Sequence, residues 1–168
     1  MESDAELLAQ VKEGDDAAFA ALYERFADRV HRYALTVLRD RHLAEEVTQE
    51  TMLAVWRGAK GYAGRSMVST WIFGIARNQA HRLIEREERA WRTMEGSAIL
   101  PDPAEAAGRE EAVLGALASL PVEQREAVFL TFYEGLSYPE ISRLLGVPTG
   151  TVKSRMYHAR RKLAEALR

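Results

Sequence analysis

Residues 135–163 read GLSYPEISRLLGVPTGTVKSRMYHARRKL. Ser137 and Glu140 stand at the spacing where a hydroxyl and a carboxylate each satisfy a free backbone amide at a helix start. Ile141, Leu144 and Leu145 form the apolar face of that helix, Gly146-Val147-Pro148 predicts a tight turn, and a second helix follows with Val152, Met156 and Leu163 as its apolar positions. Two helices joined by a short glycine-containing turn, the second one basic, make a helix-turn-helix. In that geometry the start of the second helix enters the major groove. Thr149, Thr151, Lys153, Ser154 and Arg155 are therefore the groove-facing candidates. Lysine and arginine donate to guanine acceptors, and serine and threonine reach bases or phosphates. Arg160, Arg161 and Lys162 are better placed for phosphate, which strengthens binding without selecting sequence. The same pattern also describes a helical hairpin with a merely solvated basic face. Turn, cap and charge together favour the DNA reader.

Working outward, the chain has 168 residues, 47% of them hydrophobic and only 5 proline, so most of it should fold. Its net charge of −2 argues by itself against a nucleic-acid binder, but the charge is unevenly placed. Residues 1–20 carry six acids against Lys12, and residues 93–126 carry seven against Arg109 and Arg125. Residues 150–168 carry six bases against Glu165, and residues 77–92 five arginines against three glutamates. Two basic segments thus alternate with two acidic ones. There is no cysteine for a disulfide or thiolate site. The apolar stretches are too short to span a membrane, and the acidic start MESDAE is unlike a signal peptide. These features predict a soluble, cytoplasmic protein without membrane insertion.

Strand signals are missing, and helical periodicity is common. Phe19, Leu22, Tyr23, Phe26, Val30, Tyr33 and Val37 follow the spacing of one helix face. Val47, Thr51, Ala54 and Val55 repeat it before Gly58 and Gly61 end the segment, and Trp71, Ile75, Asn78 and Arg82 lie along one stripe of a further helix. Gly96, Pro101 and Pro103 then interrupt the pattern. Asp102-Pro103 supplies an N-cap with proline at the first helical position. The helix it opens is expected to reach Leu120, Pro121 starts another, and that one should end at Gly135. The expected architecture is all-α: one small helical domain over 1–92, a flexible linker over 93–108, and a second helical domain over 109–168.

Two stretches stand out before the linker. Residues 44–57, AEEVTQETMLAVWR, pair an apolar stripe with Glu45, Glu46, Gln49 and Glu50 on the outside, beside Leu53 and Trp56. Periodicity alone makes this an ordinary amphipathic helix. Residues 61–82, GYAGRSMVSTWIFGIARNQAHR, place a flexible Gly-Ser loop before an aromatic-rich helix exposing Arg77, Asn78 and Arg82. Aromatics interleaved with arginine and asparagine suit stacking on unpaired bases. Core packing accounts for Trp71 and Phe73 equally well.

The order AEEVTQETMLAVW, STWIFGIARN, LPVEQREAVFL and GLSYPEISRLLGVPTGTVKSRMYHARRKL resembles the extracytoplasmic-function sigma factors, over roughly residues 15–167. Each motif alone is modestly specific; the four in this order are highly so. The resemblance implies an alternative sigma factor that binds RNA polymerase core, reads two promoter elements and opens DNA. It implies that Glu45, Glu46, Gln49, Glu50, Leu53 and Trp56 dock on the clamp-helix coiled coil of the polymerase largest subunit. It places the loop of Gly64, Arg65, Ser66 and Ser69, with Trp71, Ile75 and Asn78, at a flipped base of the downstream (−10) element, where Arg77 and Arg82 steady the displaced strand. The helix from Thr149, including His158, Arg160 and Arg161, becomes the reader of the upstream (−35) element. The linker would run near the RNA-exit path, and an anti-sigma factor is an expected partner. The chain departs from the family pattern in two places: Met67-Val68 stand where an aromatic is common, and His158 where arginine is common. A neutral imidazole weakens a DNA contact and makes it sensitive to pH.

Two other function classes fit the residues less well. A two-domain helix-turn-helix activator would bring an α/β receiver or ligand pocket, and no strand pattern or aspartate cluster is present. An enzyme would need a catalytic constellation. His31, His42, His81 and His158 are scattered without metal-ligand spacing, and no phosphate loop or nucleophile motif occurs. No cofactor, metal or catalytic residue is expected.

Overall fold

A computed structural model of the chain describes residues 1–93 and 109–168. Eight α-helices make up these residues, with no strand among them. They fall into two compact units, Met1–Glu85 and Arg86–Arg168. The expected Asp102-Pro103 helix start lies outside the described residues.

The first unit is built by strong local signals at helix starts. Helix α1 (Asp4–Lys12) opens on a capping box that the sequence reading passed over: the Glu6 amide donates to Ser3 Oγ at 3.2 Å and the Ser3 amide to Glu6 Oε2 at 2.7 Å. Asp15 caps α2 (Asp16–Leu38) through the amides of Ala17 and Ala18, and Asp40 caps α3 (Arg41–Gly58) through that of Leu43. A 3-10 turn (Ala59–Gly61) and a short loop lead to α4 (Val68–Thr93). The loop therefore ends at Met67, and Ser69, expected within it, lies in the first turn of α4. Helix α1 packs on α2 and on the 3-10 turn, and α2 packs along α3. Leu7, Leu8, Leu22, Phe26, Val30, Val55 and Ile72 fill the interior, and Tyr33 meets Phe73 edge to face at 5.8 Å. Of the stripe expected on α2, Tyr23 departs: it is 42% exposed.

In the second unit α5 (Arg109–Ser119), α6 (Val122–Phe132), α7 (Tyr138–Leu145) and α8 (Thr149–Ala166) surround Leu120, Ala127, Val128, Met156 and Ala159. Leu117, Tyr138 and Leu163 pack against that core. Arg125 ties α6 to the end of α5 by donating Nη1 to the Leu120 carbonyl at 2.6 Å. Helix α6 stops at Phe132, short of Gly135, which takes the left-handed conformation (φ 64°) beyond it. The helix-turn-helix is α7 and α8. Its capping box is made, with Ser137 N donating to Glu140 Oε2 at 2.7 Å and Glu140 N to Ser137 Oγ at 3.3 Å. Ser142 Oγ then donates to the Val147 carbonyl at 2.5 Å, clasping the turn.

Gly146 ends α7 at φ 66°, and a Cβ there would touch nothing within 4 Å. The cost of a side chain is thus purely conformational. Gly146→Ala is expected to destabilise the α7–α8 pair by about 1–2 kcal/mol, measured as faster amide hydrogen exchange across Ile141–Met156. Unchanged exchange would mean that the turn has another conformation available.

Candidate nucleic-acid and protein-binding surfaces

Three exposed faces carry the residues singled out above. The first is the outer side of α3. Ala44, Val47, Thr48, Thr51, Met52 and Val55 turn inward, so the 3.6-residue period sends Glu45, Glu46, Gln49, Glu50 and Leu53 to the surface, with Trp56 half-buried at its end. All six expected docking residues therefore share one helix face. The structure adds two aromatics to it. Phe19 meets the Trp56 ring edge-on at 5.1 Å and Tyr23 at 6.4 Å. Beside them a shallow groove runs between α2 and α3, lined by Tyr23, Asp28 and His31 on one side and by Glu45 and Gln49 on the other. In the sequence, Phe19 and Tyr23 look like core residues because they continue the apolar stripe. They sit at its edge, Phe19 half-buried and Tyr23 exposed.

The second face is α4 with the loop before it. Ile72, Phe73, Ala76, Ala80 and Leu83 are buried, which assigns Phe73 to the core. The neighbouring stripe of Trp71, Ile75, Asn78 and Arg82 remains accessible, with Asn78 and Arg82 exposed and Trp71 and Ile75 half-buried. At 1.5 Å per residue this stripe is about 16 Å long. The Trp71 indole lies over Gly58 and against Tyr62, its ring 5.2 Å from that of Tyr62. Gly64, Arg65, Ser66 and Met67 project from the loop, whose bend needs the left-handed φ of 71° at Gly64. Arg77 is drawn in: it is half-buried, with Nε out of solvent.

The third face is α8. Val152, Met156 and Ala159 are its buried stripe. At 100° per residue, Ser154, Tyr157, His158 and Arg161 point the opposite way, with Lys153 and Arg160 exposed beside them. Arg161 makes an exposed pair with Glu165 at 3.8 Å, an interaction of little energetic weight. Thr149 and Thr151 are half-buried in the first turn. Arg155 lies on the flank of the core stripe, half-buried, with Nη1 withdrawn from solvent. Tyr157, 58% exposed and edge-on to His158 at 5.4 Å, is a surface aromatic the sequence reading passed over. The available signal is the spacing of four outward positions, 153, 154, 157 and 158, around the buried Val152 and Met156.

Among the described residues no group of three or more His, Asp or Glu side chains is placed to hold a metal ion, and no helix is long and apolar enough to cross a membrane.

Residues 22–90 match the family described as Sigma-70 region 2, and residues 110–163 match Sigma-70, region 4. The chain is 37% identical over 173 residues to the ECF RNA polymerase sigma factor SigK of Mycobacterium sp. (strain JLS), covering 96% of this chain and 89% of that protein. It is also 37% identical over 166 residues to the ECF RNA polymerase sigma factor SigM of Mycobacterium tuberculosis (strain ATCC 25618 / H37Rv), covering 98% and 85%. Among solved structures, it resembles the sigma factor RpoE in complex with the anti-sigma factor NepR from Bartonella quintana (TM-score 0.73, 26% identity, 89% of this chain and 96% of that one). It likewise resembles CnrH in complex with the cytosolic domain of CnrY (TM-score 0.74, 27% identity, 99% and 97%).

Proposed function

This chain belongs to the ECF family of RNA polymerase sigma factors, and we propose that its three exposed faces divide the work of an alternative sigma factor. The sigma factor family is one of non-catalytic transcription factors acting with RNA polymerase, and this chain lends promoter recognition to that enzyme. Residues 1–92 dock on core and handle the downstream element, residues 109–168 read the upstream element, and residues 93–108 tether the two. Because its polymerase is cytoplasmic, so is the protein.

The observation that carries this reading is the chemical contrast between the faces. The α3 face offers Glu45, Glu46, Gln49 and Glu50 around an apolar centre of Leu53 and Trp56, which suits a basic protein partner and repels DNA. The α4 stripe offers an aromatic wall at Trp71, an aliphatic one at Ile75, an amide at Asn78 and a cation at Arg82, the groups that hold an unpaired base and its backbone. Arg77 supports that strand from its half-buried position. The α8 face offers Lys153, Ser154, Tyr157 and His158 to base edges and Arg160 and Arg161 to phosphates, with Thr149, Thr151 and Arg155 at its margins. Its partners are RNA polymerase core, promoter DNA and an anti-sigma factor that covers these faces until the protein is needed.

The test is run-off transcription with purified core polymerase on promoters whose upstream and downstream elements are randomised. The parent should select one sequence at each element and yield no transcripts without core. Lys153→Ala with Tyr157→Ala should relax selection in the upstream element alone, by about 1–3 kcal/mol per contacted base. Arg161→Ala should weaken all upstream sequences alike and flatten the salt dependence. Unchanged ranking of upstream sequences in the double variant would sink the assignment of α8.

A further inference from the structure

The loop before α4 is held by a residue fifty positions away in the chain. Lys12, the last residue of α1, donates Nζ to the Tyr62 carbonyl at 2.9 Å, and its ammonium lies 5.3 Å from the Tyr62 ring centroid. Tyr62 passes that support on. Its hydroxyl donates to the Ser66 carbonyl near the far end of the loop, and its ring tilts at 53° against Trp71 in the first turn of α4. Trp71 in turn covers Gly58 at the end of α3. One tyrosine thus joins α1, the loop and α4.

The rest of the loop has little to fix it. Residues 63–67 are exposed, and Met67 is 60% accessible. A segment of this kind has many alternative shapes, and ordering it only when a base arrives subtracts that entropy from binding. The support at its base is rigid, because Leu7, Leu8 and Val11 bury α1 against the unit's core. Lys12 itself is half-buried, and its ammonium is spent on a carbonyl and a ring rather than turned outward to a phosphate.

We infer that Lys12 is a positioning residue for promoter opening: through Tyr62 it holds the 62–67 loop in the shape that receives an extruded base. This rests on the base-capture role proposed above for the loop and α4 stripe. Lys12 touches no DNA in this scheme. Its effect is on the readiness of the pocket.

The experiment uses the full chain with core polymerase. Lys12→Met keeps an apolar stem and removes the donor and the charge. It is expected to lower opening of an ordinary promoter about 3- to 10-fold, the loss associated with one intramolecular hydrogen bond of ordinary net strength, because Lys12 acts on the base only through the loop. Base preference at the downstream element should flatten, and trypsin should cut faster after Arg65 than in the parent. Association with core and transcription from a pre-melted template should stay at parent levels. Lys12→Arg, which keeps a donor in reach of the carbonyl, should recover opening and base preference. Tyr62→Phe, which keeps the ring and loses the link to Ser66, should flatten preference as Lys12→Met does. Parent-like opening and preference in Lys12→Met would overturn the inference, as would an equal loss on the pre-melted template or an arginine variant no better than methionine. Asn78→Ala separates the two levels. If it opens DNA normally, the base-capture role itself fails; if it is impaired while Lys12→Met is normal, only the role of Lys12 fails.

Discussion

Trp71→Ala combined with Asn78→Ala is expected to reduce open-complex formation on an ordinary promoter by on the order of 100-fold, since an unpaired base must be held out against a few kcal/mol of stacking and pairing and each 1.4 kcal/mol is tenfold. The two side chains contribute differently. Asn78 is exposed and supplies hydrogen bonds to a base edge, so its removal touches little else in the protein. Trp71 supplies the wall of the pocket and also braces Tyr62 and covers Gly58, so its removal loosens the loop as well. The readout is permanganate reactivity of thymines around the start site. A template carrying a pre-melted bubble should restore most of the lost activity, because the energy the pocket supplies is no longer required. An equal defect on both templates would point to folding or docking instead. Normal opening of the ordinary promoter would remove the pocket from the α4 stripe. Circular dichroism and melting temperature of the double variant decide beforehand whether its fold is intact.

Reversing the charge at Glu46 and Glu50 should slow association with core polymerase by about tenfold or more at low ionic strength, because complementary rim charges act chiefly on the encounter rate. The two carboxylates are one helical turn apart on the exposed side of α3, flanking Leu53 and Trp56. Replacing both by lysine preserves their like-charge relation along the helix while inverting the field they present. The helix should therefore survive the exchange, and the partner should not accept it. The difference between parent and variant should narrow as salt rises and the Debye length shortens. Equal association rates at low salt would show that α3 presents some other surface to solvent and that docking lies elsewhere. Phe19 and Tyr23 offer a second handle on the same face. They extend its apolar centre onto α2, so Tyr23→Ala should speed dissociation from core far more than it slows association, as expected for a residue in the contact's desolvated middle.

What the sequence determined by itself is the local architecture. The capping boxes at Ser137–Glu140 and Ser3–Glu6, the left-handed Gly146 and the 3.6-residue stripes of α3 and α8 all act over four residues or fewer, so their physics is complete within a short window of chain. That is enough to specify helices, the turn of the helix-turn-helix and the outward set Glu45, Glu46, Gln49, Glu50 and Leu53 on α3. Tertiary structure decided which edges of those stripes are covered. Phe19 and Tyr23 continue the apolar pattern of α2, yet Phe19 is only half-buried against Trp56 and Tyr23 lies exposed beside Phe19, because burial depends on how far the neighbouring helix extends over them. Arg155 was legible as a basic residue at the start of α8, but its withdrawal to the flank of the core follows from the packing of Val152 and Met156. The support of Tyr62 by Lys12 spans fifty residues, and no periodicity couples positions so far apart; only the packing of α1 beside the 3-10 turn brings the ammonium to that carbonyl.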